Sequence, residues 1–322
     1  MTPALDARGA RASGSTSDTA LVPPPLVTRW IAAARPRTLP AAVAPVLVGS
    51  ACALHAGGFA AAPALAALLV ALLLQVATNF VNDWGDHRRG ADGPDRVGPR
   101  RAVAAGWITP RAMAVAAALA FGEAAVLGFY LTVRGGAAAL ALGVLSIAAG
   151  IAYTAGPFPL AYRGLGEVFV FVFFGPVAVC GTELVQHGAI SPLALAASIP
   201  VGLLAAAILV VNNVRDVDGD ARAGKRTIAV RLGAARTRDL YLLLLAAALV
   251  SPVVLAALAL APSSVLVALL TVVTAPKPLR IVRHETGPAL NAALAQTARL
   301  HLLFGALLAA GIALPALLGR SA

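Results

Sequence analysis

The sequence predicts an all-α integral membrane protein: about nine transmembrane helices in a bundle with a central cavity, built as two pseudo-repeated four-helix units plus one helix. Three observations carry this. Of 322 residues, 59% are hydrophobic and 12% charged, with mean hydropathy +0.84; a soluble domain holds roughly a quarter charged residues. The apolar runs are long enough to cross about 30 Å of hydrocarbon. The charge sits between them: Arg88, Arg89, Arg96, Arg100, Arg101 and Arg111 in one segment, Arg215, Arg222, Lys225, Arg226, Arg231, Arg236 and Arg238 in another. The net charge of +11 therefore reports topology, and nucleic acid is excluded as a partner because the basic residues form no stripe on a soluble face.

Residues 1–27, rich in Ala, Ser, Thr, Gly and Pro, are expected to be a disordered tail, and 28–320 a single polytopic membrane domain. Val27–Ala34 (VTRWIAAA) has the Trp and Arg of an interfacial helix, stopped by Pro36. Spans are expected at 39–57, 62–82, 111–133, 136–155, 164–186, 192–215, 236–261, 263–279 and 297–318. Lysine and arginine placement puts the N-terminus, both basic loops and 280–295 in the cytoplasm of a cell-membrane protein. Cys52 and Cys180 lie inside apolar runs, where neither a disulfide framework nor a thiolate metal site is expected.

The second and sixth spans both end in Asn and spaced Asp, which is the basis of the repeat. In Asn79-Phe80-Val81-Asn82-Asp83-Trp84-Gly85-Asp86, helical spacing puts Asn79, Asp83 and Asp86 on one face. In Asn212-Asn213-Val214-Arg215-Asp216-Val217-Asp218-Gly219-Asp220, the face is Asn212, Asp216 and Asp220. Paired carboxylates at a membrane helix end repel unless a cation neutralises them. Mg²⁺ suits such a place, because it takes one or two carboxylates and completes its shell with waters and phosphate oxygens. Two half-sites face to face would hold a diphosphate, with Arg96, Arg101, Lys225 and Arg226 beside it. Glu167, Glu183 and Glu123 are acids in apolar runs, and Glu167 is expected to face the polar cavity. A cation-coupled transporter is the competing class, but transporters place their acids near the midplane on broken helices, whereas these stand at helix ends.

These motifs resemble the UbiA-type membrane prenyltransferases, in the branch that acts on 1,4-dihydroxy-2-naphthoate. The resemblance rests on NDWGDHRRGADGPDRVGPRR (82–101) and NNVRDVDGDARAGKRTIAVRLG (212–233), with ARPRTLP (34–40), YTAGPFPLAYRGLGE (153–167) and VFFGPVAV (172–179). It implies transfer of a polyprenyl chain from polyprenyl diphosphate to 1,4-dihydroxy-2-naphthoate with decarboxylation, giving demethylmenaquinone. Other acceptors known for the family, 4-hydroxybenzoate, homogentisate or a specialised aromatic, are the alternative. The resemblance further implies Mg²⁺ on Asp83, Asp86, Asp216 and Asp220. Asp92 stands in for the third acidic place that Gly90 occupies. Asn79, Asn82, Asn212, Arg96, Arg101, Lys225 and Tyr153 would address the diphosphate or reacting carbons, and Arg37 or Arg35 the acceptor's carboxylate. Lipid is the surrounding partner, and no obligate protein partner is implied.

Overall fold

A computed structural model describes residues 23–93 and 96–319. Among these the secondary structure is helical, with no strand. The tail expected over 1–27 falls mostly outside the described residues; helix α1 already begins within it, at Leu26. α1 (Leu26–Ala34) presents Leu26, Val27 and Ile31 outward and packs Trp30 edge-on against Phe80, ring centroids 5.7 Å apart. It ends at Arg35, whose φ of 52° is a left-handed conformation that a non-glycine residue seldom adopts. A 3₁₀ turn, Pro36–Thr38, then bends the chain by 50° into α2 (Pro40–His55).

α3 (Ala61–Arg88) carries the first acidic motif at its C-terminal end. α4 (Pro110–Thr154), started by Pro110 and by Thr109 accepting from the Ala112 amide, is 45 residues long, but Gly136 has φ 63° and ψ −155° inside it. The two arms fold back on each other there: a Cβ placed on Gly150 would come within 3.2 Å of the Phe121 ring. The next span is α5 (Gly166–Val172), a π-turn at Phe173–Val177 containing Pro176, and α6 (Ala178–His187). Gly175 permits this bulge to lie against Gly202, where an added Cβ would be 3.0 Å from the Gly202 Cα.

α7 (Pro192–Arg215) is the most enclosed helix; Ser191 caps it, and Glu183 receives both the amide and the hydroxyl of Ser191 at 2.8 and 2.7 Å. Glu183 is thus a buried capping group far along the chain from the acidic motifs, whereas Glu123 lies exposed on the outer face of α4. α8 (Val217–Arg222) is a short turn bearing the second motif, and α9 (Ile228–Ala257) is broken at Gly233. The single span expected at 263–279 is instead a 3₁₀ helix, Ser263–Thr274, bent by 44° from α10 (Pro276–His284) because Pro276 restarts the helix. α11 (Leu290–Leu317) closes the bundle.

Among the described residues six helices are long and apolar enough to cross a membrane, and eight if each of the two bent pairs is one span. Large apolar side chains such as Val126, Phe129, Val133, Leu243 and Val273 face outward, as a lipid-solvated surface requires. Two cores result. Trp30, Phe80, Met113 and Phe121 join α1, α3 and α4, while Val48, Val179, Val201, Tyr241 and Phe304 join α2, α6, α7, α9 and α11. The main cavity opens between them.

Candidate active site

A cavity of about 380 Å³ is lined by α2, α3, both arms of α4, α5 to α6 and α7. The α3 stripe is Ala67, Val70, Ala71, Leu74, Gln75, Thr78, Asn79, Asn82 and Asp86. At 1.5 Å per residue this wall runs about 28 Å, close to the thickness of the hydrocarbon layer. It begins apolar and ends polar. At the polar end stand Asn79, Asn82, Asp86, Arg96, Arg101, Tyr153, Asn212, Asp216, Asp220 and Lys225, so the structure brings together most of the residues singled out from sequence.

Asp86 is the hub of this end. Its Oδ2 lies 3.0 Å from the Arg101 guanidinium; its Oδ1 accepts from the Tyr162 hydroxyl at 2.8 Å and lies 3.1 Å from Lys225 Nζ. The same ammonium is 3.6 Å from Asp220, so one lysine joins both motifs. Asp216 is held bidentately by Arg215 at 2.8 and 2.6 Å, and Arg215 reaches on to Asn212 and to Asn291 of α11. Burial pushes the Asp220 carboxyl up to about 6 against the opposing pull of Lys225.

Gly90 explains the altered first motif. Its φ of 67° makes it the left-handed cap of α3, with the Ala91 amide returning to the Asp86 carbonyl at 2.9 Å. The chain reverses and brings Asp92 under Arg96 at 2.7 Å and Arg101 at 3.5 Å. Burial raises Asp92 to about 6, with Arg96 opposing, and its Oδ2 has no partner.

Asp83 and Arg37 lie off the cavity wall. Asp83 is 1% exposed and does not line the cavity; its two oxygens accept from the Ala102 and Val103 amides at 2.9 and 3.1 Å. One helical step separates it from Asn82, which does line the cavity and accepts from the Thr154 hydroxyl. Arg37 points away as an exposed side chain of the 3₁₀ turn; Arg35 lines the cavity, with a buried, unpartnered NH2. Asn79 is an anchor as well as a lining group, since its amide donates to the Ala34 carbonyl and the Thr38 hydroxyl.

Tyr162 is a site residue that the sequence reading passed over. It sits in a 3₁₀ turn (Leu160–Arg163), with Arg89 and Lys225 over its ring at 5.4 and 4.9 Å. Burial and Asp86 both raise its hydroxyl's pKa. The signal was available in the YTAGPFPLAYRGLGE segment, which holds two tyrosines, Tyr153 in the last turn of α4 and Tyr162 in the turn that follows it.

Among the described residues no three His, Cys, Asp or Glu gather closely enough to cage a metal ion. The donor set nonetheless fits Mg²⁺. That ion needs one or two carboxylates and substrate phosphate oxygens, and this cavity offers Asp86, Asp216 and Asp220 on its wall and the unpartnered Asp92 oxygen behind them.

The fold is shared with solved structures. A UbiA homolog from Aeropyrum pernix K1 superposes with a TM-score of 0.65 at 19% identity, over 85% of this chain and 97% of that one. A UbiA homolog from Archaeoglobus fulgidus bound to DMAPP and Mg²⁺ gives 0.59 at 17% identity, over 88% and 99%. In sequence, a Mycobacterium tuberculosis protein named 1,4-dihydroxy-2-naphthoate octaprenyltransferase is 46% identical over 222 residues, 68% of this chain and 75% of that one. A Bacillus subtilis protein of the same name is 31% identical over 282 residues, 86% and 90% of the two chains. The model of the UbiA prenyltransferase family matches residues 42–303, and with its hairpin-bearing bundle and two acidic helix ends around one cavity, this multi-pass membrane chain belongs to that family.

Proposed function

We propose that this protein transfers a polyprenyl group from polyprenyl diphosphate to 1,4-dihydroxy-2-naphthoate with loss of the ring carboxylate, giving demethylmenaquinone. The observation that carries the reading is the polarity of the cavity, whose α3 wall of about 28 Å has cations and carboxylates at one end and turns apolar toward the other, through Leu74, Ala71, Val70 and Ala67. A molecule with a small anionic head and a long hydrocarbon tail fits that shape. The choice of acceptor rests on the Mycobacterium tuberculosis and Bacillus subtilis relatives.

Asp86, Asp92, Asp216 and Asp220 would hold Mg²⁺, which supplies electrostatic stabilisation of the departing diphosphate. Lys225, Arg96 and Arg101 take up the diphosphate's charge directly, leaving their carboxylate partners for the ion. Tyr153, on the wall between head and tail, presents its ring to the allylic carbon as positive charge develops there. The attacking ring carbon comes from the acceptor, whose carboxylate is assigned to Arg35 in place of Arg37. Asp83 fixes the 101–103 segment that carries Arg101.

The same reading counts nine spans. α1 to α2, α3, the two arms of α4, α5 to α6, α7, α9, the 3₁₀ helix with α10, and α11 make that number, and α3 and α7 are then the second helices of two four-helix repeats. Lysine and arginine counts place both acidic motifs at the cytoplasmic face of the plasma membrane. Membranes carrying the protein should convert the two substrates to a prenylated quinol only when Mg²⁺ is supplied, and Asp86→Ala should reduce turnover at least about 1000-fold. Full activity in that variant, or in the presence of excess chelator, would overturn the assignment.

A further inference from the structure

Glu167 has no part in the chemistry above, yet it is 5% exposed at the start of α5, directly behind the cavity wall. One of its oxygens accepts from the Asn213 amide nitrogen at 2.7 Å. The other, Oε2, is shielded and has no partner among the described residues. Native proteins keep few such atoms, and those they keep call for an explanation. Gly166, Asn213 and Tyr153 all line the cavity, and a Cβ on Gly166 would be 3.1 Å from the Tyr153 hydroxyl. Glu167 therefore supports the wall at the place where the acceptor ring would meet Tyr153.

A carboxylate offers only acceptors, so it holds the Asn213 amide in one orientation, NH₂ toward Glu167. One hydrogen of that nitrogen remains as a further donor, and the group that Asn213, which lines the cavity, turns away from Glu167 is its carbonyl oxygen. That atom suits a donor and repels the anionic diphosphate, whose place is at Lys225 and Arg101. A glutamine at 167 would occupy the same space but would accept either orientation of the asparagine.

We propose that Asn213 Oδ1 receives a ring hydroxyl of the acceptor and that Glu167 is the positioning residue that keeps it turned that way. The pair then selects hydroxylated arenes over their ethers. This rests on the acceptor reading given above. A site built to bond a hydroxyl rejects an analogue lacking it far more strongly than an apolar pocket rejects a methylene.

The test uses the purified protein in lipid nanodiscs with Mg²⁺ and polyprenyl diphosphate, offering 1,4-dihydroxy-2-naphthoate and each of its two monomethyl ethers. The wild type should disfavour one ether by about 100-fold in kcat/KM. Glu167→Gln should reduce that preference below tenfold by raising the KM for the acceptor, with the KM for polyprenyl diphosphate and the half-saturating Mg²⁺ unchanged. Equal use of all three acceptors by the wild type overturns the proposal even if the variant does not fold. So does a Gln variant with an unaltered acceptor KM, or one whose defect lies in diphosphate or Mg²⁺ dependence. A wild type that prenylates some other hydroxyarene and not the naphthoate sinks the acceptor reading alone, and the same ether comparison on that hydroxyarene then decides this proposal.

Discussion

Lys225 lies within 3.1 Å of Asp86 and 3.6 Å of Asp220, so a single ammonium neutralises carboxylates from two motifs more than a hundred residues apart. Replacing it with methionine keeps most of the volume and removes the charge. By analogy with the loss of one charge-stabilising donor, Lys225→Met should lower kcat about 100- to 1000-fold, measured as product formed at saturating substrates. A change of less than threefold would show that the lysine is only a structural tie. Asp83 tests the opposite case. Asp83→Ala strands the buried Ala102 and Val103 amides, each costing about 1–3 kcal/mol, so its thermal unfolding midpoint in detergent should fall clearly. Asp86→Ala strips Arg101, Tyr162 and Lys225 of their shared partner, so its midpoint should fall as well, and activity separates the two: folded Asp83→Ala should keep turnover, whereas Asp86→Ala should lose at least about 1000-fold. If Asp83→Ala melted like the wild type and lost all activity, Asp83 would have to be returned to the metal-binding set.

At the scale of the element, helix phase decides which polar residues meet. The spacing of Asn79, Asp83 and Asp86 is a correct helical face, but the cavity stripe on α3 runs through Thr78, Asn79, Asn82 and Asp86. The two sets share Asn79 and Asp86 and part at Asp83 and Asn82, which stand about 100° apart around the helix. Sequence spacing defines a set of faces and not which one is turned inward; that choice is made by the packing of α3 on α1 and α4 through Trp30, Phe80 and Phe121. In the second motif Asn212, Asp216 and Asp220 all line the wall, across the break between α7 and α8, and Asn213 lines it too, which the motif's spacing did not pick out. Tyr162 was not legible as a site residue, and Arg35 could not be told from Arg37, for a related reason: these residues lie in tight turns, where no periodicity predicts direction. The α4 hairpin was legible as two spans, since Arg134-Gly135-Gly136 interrupts an apolar run, and the structure gives the glycine its reason in φ 63°. Gly136→Val should therefore cost about 1–3 kcal/mol, read as a lower unfolding midpoint, whereas Gly143→Ala in the following arm should change it little. Equal effects at the two positions would mean that the turn is not strained by a side chain.

For the whole molecule, composition alone announced lipid as the solvent, but the number of crossings depends on how bent helices are counted. The 50° bend before α2 and the 44° bend before α10 make two spans out of pieces that are each short for a bilayer, and the break at Gly136 makes two spans out of one continuous helix. The proposed count of nine crossings is odd. On that count Leu26 and Gly319 lie on opposite faces, with the loops after α3 and α7 on the side of Leu26. Both native cysteines are buried, so single cysteines introduced at His87, Arg222 and Gly319 can be read against a quiet background. In sealed right-side-out vesicles an impermeant maleimide should label position 319 at once, and should reach positions 87 and 222 only after the membrane is opened. Labelling of 319 together with 87 and 222 would give an even count. The 3₁₀ helix and α10 would then form a re-entrant pair that enters and leaves by the same face.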